Sequence, residues 1–159
     1  MTKAKTIKLT ALLLLVVCAA LFASGCGAEK SALGAVKEAM LAADDTMPEM
    51  KEASSESEDA EKLFGSLSDV SYDKVKDYFL CYAADGTAYE IAVVEMKDSS
   101  DVGEMKDSIV RHIQKRKELY KNYAPDQLTQ AEGSRVLVKG NRVALVMCAK
   151  TDEVIKAFG

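Results

Sequence analysis

Few residues in this chain could carry chemistry. His112 is the only histidine among 159 residues. It lies beside the apolar side of a helical stretch, with no Cys-x-x-Cys pair to complete a zinc site of ordinary ligands. A Ser-His-acid site would want a Gly-x-Ser-x-Gly turn, which is absent. His112 therefore reads as a partly exposed helix residue. Glu90 and Glu95 are acids within one strand-like run, and paired carboxylates can share general acid and base work. Their positions have opposite parity, however, and strand side chains alternate between faces. Glu90 shares its face with Ala92, Val94 and Met96. An unpaired carboxylate on an apolar face is costly to bury. Glu90 is either an edge residue facing water, the preferred reading, or a buried acid held by an arginine or lysine. Either way it is the candidate unusual acid.

Other patterns fail on geometry. Ser71-Tyr72-Asp73-Lys74 matches Ser-x-x-Lys, and Lys150-Thr151-Asp152 mimics Lys-Thr-Gly. That chemistry needs serine and lysine one helical turn apart, whereas Ser71 leads into a strand-like run. There is no phosphate loop or dinucleotide fingerprint, and no cofactor or metal is expected. No catalytic set emerges. The acids of residues 54–59 match no EF-hand spacing and read as a solvated helix start. Arg111, Lys115, Arg116, Lys117 and Lys121 make one half of the longest helix basic. Arg111, Lys115, Lys117 and Lys121 are candidate contacts for an anionic lipid or wall-polymer surface. The competing reading is that Asp101, Glu104 and Asp107 at the start and basic residues at the end follow the helix dipole.

The N-terminus has a different meaning. Residues 1–8 are short and basic, residues 9–22 are apolar, and Ala23-Ser24-Gly25-Cys26 follows. This is the order of an export signal. It resembles the bacterial lipoprotein signal, in which a diacylglyceryl group joins the cysteine sulfur before cleavage. The expected organisation is a signal peptide over 1–25, lipidation at Cys26, a tether over 26–30 and one domain over 31–159. The alternative is an uncleaved anchor. The expected mature part has 134 residues, 18 basic and 25 acidic, a net charge of −7. That balance argues against nucleic acid as a partner. Cys81 and Cys148 remain in the folded part, too few for a disulfide framework, and are expected as buried thiols.

The elements that would position these residues follow from periodicity and turn signals. Helices are predicted over 31–43, 57–66, 99–123 and 152–158, with capping boxes at Ser55/Glu58 and Asp101/Glu104. Residues 44–56 are expected to be a mobile loop. Strands over 73–83 and 88–97 flank Asp85-Gly86, and strands over 135–139 and 142–149 flank Gly140-Asn141, both two-residue hairpin signals. The long helix should place Val102, Met105, Ile109, Ile113, Tyr120 and Tyr123 on one face, with Arg116 the polar exception. The fold class is α+β: a mainly antiparallel four-stranded sheet of two hairpins, order ββαββα, with the long helix on one face and an N-terminal helix. Such a sheet can leave its other face partly open.

Residues 89–91 (Tyr-Glu-Ile), the charged stretch 104–121, Tyr123-Ala124-Pro125 and residues 136–141 (Val-Leu-Val-Lys-Gly-Asn) together resemble a family of small lipoproteins of low-GC Gram-positive bacteria, classed as a domain of unknown function. The resemblance implies lipidation and an envelope location, and no activity. Residues 44–57 depart from the family pattern, so no function is placed there. Three readings compete. The first is a non-enzymatic binding or accessory module at the cell envelope, anchored in the membrane through its lipid, with an envelope protein or peptide as partner. The second is an envelope hydrolase using carboxylates. The third is a structural tethered domain whose basic helix touches anionic lipid or wall polymer.

Overall fold

The computed structural model describes residues 32–159. The lipobox, the tether and Ser31 lie outside them. The elements are α1 (Ala32–Ala42), β1 (Met50–Ser54), α2 (Ala60–Phe64), β2 (Val75–Ala83), β3 (Glu90–Met96), α3 (Val102–Tyr123), α4 (Leu128–Glu132), β4 (Arg135–Lys139), β5 (Arg142–Met147) and α5 (Thr151–Phe158). The fold is α+β, with five antiparallel strands in the order β1-β2-β3-β5-β4.

Two expectations about the sheet change. The sheet has five strands rather than four, because the stretch expected as a loop contains β1. Its sequence hides it: Lys51 and Glu52 are exposed and only Ala53 is buried, at 1%. An edge strand gains its place from ladder hydrogen bonds, and charged side chains on it discourage pairing with other chains. The sheet also has no open face. Leu80, Ala92, Val94, Met96, Val143 and Leu145 pack under α3 with Met105, Ile109 and Ile113. On the opposite face Phe79, Cys81, Ile91, Val93, Ala144 and Val146 pack with Leu33, Met40, Val154 and Phe158 of α1 and α5. The apolar run of β3 at both parities is the mark of a strand buried on both faces.

The hairpins differ from each other. Lys139 pairs with Arg142 around a two-residue turn with Gly140 at φ +56°. The β2–β3 turn is longer: Tyr82 pairs with Glu90 and the Ala83 N–H meets the Tyr89 carbonyl, leaving residues 84–89 as the connection. Gly86 alone there has positive φ, +81°, while Asp85 accepts from the Thr87 N–H and hydroxyl.

Neither capping box forms. The Ser55 hydroxyl donates to Asp77, and α2 begins without a side-chain cap. The Ser99–Asp101 turn ahead of α3 is capped by Asp98, which accepts from the Ser100 N–H at 2.8 Å, while Asp101 pairs with Lys74. Tyr123, expected on the buried face, is 82% exposed, whereas Tyr120 before it is buried and Ala124 after it packs against the core. Cys81 and Cys148 are buried free thiols, and burial pushes both up to about 12, which makes them poor nucleophiles. No helix among the described residues is long and apolar enough to cross a membrane.

Asp44 ties the α1–β1 turn to α5. It is 2% exposed, and it accepts from the Thr46 N–H (2.9 Å), the Thr46 hydroxyl (2.5 Å) and the Lys150 N–H (3.0 Å) just ahead of α5. Burial pushes its carboxyl up, but these hydrogen bonds outweigh it and hold the group below the usual 3.8. Asp44→Ala leaves two part-buried N–H groups without their acceptor and is expected to cost about 1 kcal/mol in urea unfolding. The sign with pH follows from a depressed folded value. The contribution is complete above the unfolded pKa and is lost as pH falls through the folded one. The substituted protein should therefore lose less stability than the native one on acidification below pH 4. Identical urea midpoints would refute the tie.

Candidate functional site

Glu90 opens β3, and β3 is the middle strand of the sheet, so the expected water-facing edge position is not where it lies. It sits in the cross-strand row Tyr82–Glu90–Met147, facing α3, and is 3% exposed. A charge in that position needs counter-charges from the helix above. Arg116 supplies one, and His112, four residues before it and hence on the same flank of α3, supplies a hydrogen-bond donor. Glu90 Oε1 lies 2.6 Å from His112 Nε2, and Oε2 lies 3.1 Å from Arg116 Nε. As a carboxylate Glu90 only accepts, so His112 donates from Nε2 and its Nδ1 is turned to other uses. Arg116 Nε is buried without an aligned hydrogen bond, so its contact with Glu90 is a charge pair. Arg116 Nη2 donates to the Tyr120 hydroxyl, and its guanidinium lies 4.9 Å from that ring's centroid. Tyr120 in turn donates to the Thr87 carbonyl at 2.9 Å.

This network floors a groove between α2 and α3. Its volume is about 330 Å³, and its walls are Leu63, Ser66, Leu80 and Tyr82, with Glu90, His112 and Arg116 below. A smaller hollow of about 100 Å³ adjoins it, sharing Ser66 and His112, and continues past Asp69, Ser108, Arg111 and Lys115. The segment after α2 is fixed over α3 by buried hydroxyls. Ser68 and Ser108 lie 2.9 Å apart, Ser108 donates to Asp69 at 2.5 Å, and the Val70 N–H donates to Ser68 at 3.1 Å. The Ser108 hydroxyl, then Arg111 at 2.7 Å, hold the Asp69 carboxyl down at about 2.

Glu90 and His112 have the orienting half of an acid-base pair, but the serines lining the two hollows are all engaged elsewhere. The Ser66 hydroxyl is given to the Leu63 carbonyl at 2.6 Å, and those of Ser68 and Ser108 are used as above. Glu95 lies on the opposite face of the sheet and pairs with Lys76 (2.5 Å) and Arg142 (2.7 Å). The structure thus keeps the two glutamates apart. Ser71 precedes the single turn Tyr72–Lys74, and Lys74 is held by Asp101 (3.1 Å) and Glu104 (2.6 Å). The basic residues of α3 do not form one patch. Arg111 and Lys115 lie on the hollow's flank, whereas Lys117 and Lys121, each six residues further, are about 120° round the helix at ~100° per residue. Arg111 is moreover engaged by Asp69.

In the sequence His112 reads as a partly exposed helix residue and Arg116 as the polar exception on an apolar face. A usable signal was present: one acid on an apolar strand face and two basic positions on an apolar helix flank can each be buried only by meeting. Asp69, Ser108 and Tyr82 gave no such signal, since nothing in their spacing marks them.

Removing one partner should expose this dependence. Arg116→Met leaves Glu90 with His112 alone and is expected to cost about 3 kcal/mol in chemical unfolding. Adding Glu90→Gln removes the stranded charge, and the double substitution should recover more than half of the loss. Strict additivity of the two single effects would argue against the coupling.

Comparison with known proteins adds one relation. No curated protein and no solved structure matches the chain. Residues 44–148, about two thirds of the sequence, match a family described as a domain of unknown function, DUF4358. The match spans β1 to the end of β5 and includes the Glu90–His112–Arg116 cluster and both hollows. The chain therefore belongs to the DUF4358 family of domains of unknown function.

Proposed function

We propose that this protein is a lipid-anchored binding module of the cell envelope, attached through Cys26 and facing outside the cytoplasm, and that its ligand site is the groove over Glu90, His112 and Arg116. The anchoring half of the reading rests on Ala23-Ser24-Gly25-Cys26 at the end of an apolar run. The binding half rests on one observation above all. The groove has a pre-formed polar floor and apolar walls, which is how ligand sites are commonly built, and the hydroxyl of its one lining serine, Ser66, is already given to the Leu63 carbonyl.

Glu90 and Glu95 lie on opposite faces of the sheet, so the hydrolase reading gains no shared site from this pair. The surface-docking reading loses its continuous patch, since one basic residue of the four is engaged and the others are divided between two flanks.

Two measurements test the two halves. A fatty-acid analogue should label the full-length protein, and Cys26→Ala should abolish the label. For the groove, a photo-crosslinking residue placed at Leu63 in native membranes should yield a specific adduct. The same residue at Val138, an exposed position on the far edge strand β4, should not. Equal adducts at both positions, or none at Leu63, would discard the groove as the binding surface.

A further inference from the structure

The groove and the adjoining hollow form one trough along α3, with His112 and Ser66 lining both parts. The two parts differ in chemistry. The larger has Leu63, Leu80 and the Tyr82 ring; the smaller has Asp69, Arg111 and Lys115. Across the trough three fixed cations, Arg111, Lys115 and Arg116, face two acids, Asp69 and Glu90, an excess of one positive charge before His112 is counted. The acids are already spoken for: Asp69 by Ser108 and Arg111, Glu90 by His112 and Arg116. Lys115 is exposed and forms no ion pair among the described residues.

We infer that the trough binds an amphipathic anion, a short apolar chain ending in a carboxylate, with the chain against Leu63, Leu80 and Tyr82 and the head between His112 and Lys115. The inference rests on the groove being a binding site and is independent of lipidation. A volume of about 330 Å³ is at the lower end of ligand pockets and suits a chain of a few carbons rather than a folded partner. The head has two donors of different kinds. Lys115 supplies a mobile ammonium. His112 supplies Nδ1, which donates to the head in the doubly protonated ring, Nε2–H being taken up by Glu90. Glu90 therefore acts as a positioning residue: by engaging Nε2 it fixes the ring that lines both parts of the trough. The same head occurs on a fatty acid and on a peptide C-terminus.

The single histidine makes the test direct. Full-length protein carrying isotope-labelled histidine is placed in phosphatidylcholine nanodiscs and titrated with hexanoate, acetyl-leucyl-alanine, hexanol and hexylamine, with the imidazole signal observed by NMR. Either carboxylate should move the signal saturably, the tighter one identifying the source of the head. Hexanol and hexylamine should bind at least tenfold more weakly. Lys115→Gln, an exposed change that should leave the rest of the spectrum intact, should weaken the carboxylate about tenfold. Leu63→Gln should weaken it as well, without altering the head's preference for a carboxylate. Hexanol or hexylamine binding as tightly as hexanoate, an unchanged affinity in Lys115→Gln, or no saturable shift with any probe would each overturn the inference. In that last case a Leu63 crosslink to an envelope protein would still stand, so the two readings fail separately.

Discussion

The charge of Glu90 is the constraint on which this structure turns. A carboxylate at the start of the central strand, 3% exposed, is tolerable only where cations meet it. That requirement fixes how α3 lies on the sheet. Its apolar residues would tolerate small slides and rotations, but His112 and Arg116 reach both oxygens of Glu90 in one placement only. The consequences spread outward. Arg116 engages Tyr120, and Tyr120 holds the β2–β3 connection at Thr87. The next residue, Ala88, has its N–H bonded to Gln127 (3.0 Å) and its carbonyl to Gln130, so the turn after α3 grips the segment that leads into Glu90. A buried ion pair thus sets the register of helix on sheet, and hydrogen bonds beyond it stiffen the loop at the trough's end.

How much of this the sequence discloses depends on the range of the interactions involved. Helices and central strands have local causes: apolar spacing, Pro125 ending the long helix, Gly140 in a two-residue turn. These are readable residue by residue. β1 is not, because an edge strand of mostly polar residues owes its form to β2, distant in sequence, and its own pattern shows one buried alanine. Capping boxes at Ser55 and Asp101 failed for a related reason. Asp77 and Lys74 compete for the same side chains from other elements and win. The site was legible in part. Glu90 announces itself by its parity with Ala92 and Val94, while its partners are 22 and 26 positions away and are named only by the fold.

The second face of the sheet bears on function as well. An open antiparallel face would have offered a broad apolar platform for a partner protein. Here α1 and α5 cover it, with Asp44 joining the two regions through Thr46 and Lys150. What remains accessible is smaller and more specific: two edges, both bearing charged residues at Lys51, Glu52, Arg135 and Lys139, and the trough beside α3. Closing the broad surface shifts the weight from a flat docking face to a concave site of a few hundred cubic ångströms.

The trio of Glu90, His112 and Arg116 makes little sense as a stability device. Replacing a buried ion pair by apolar side chains of similar volume is often neutral or stabilising, since the desolvation cost of two charges is comparable to their attraction. A leucine at 90 facing aliphatic residues at 112 and 116 would continue the core formed by Ala92 and Leu80 without a break. The charges also sit where that core meets the groove, with side-chain exposure rising from 4% at Glu90 to 14% at His112 and 25% at Arg116. A gradient of that kind leaves the acid hidden and the cations turned outward. Glu90 then serves to hold the Arg116 guanidinium and the His112 ring still at the floor of a pocket, where unaided they would swing into solvent. Pre-organised cations beside apolar walls are what recognition of an anionic, partly apolar ligand requires, because the side-chain ordering is complete before the ligand arrives.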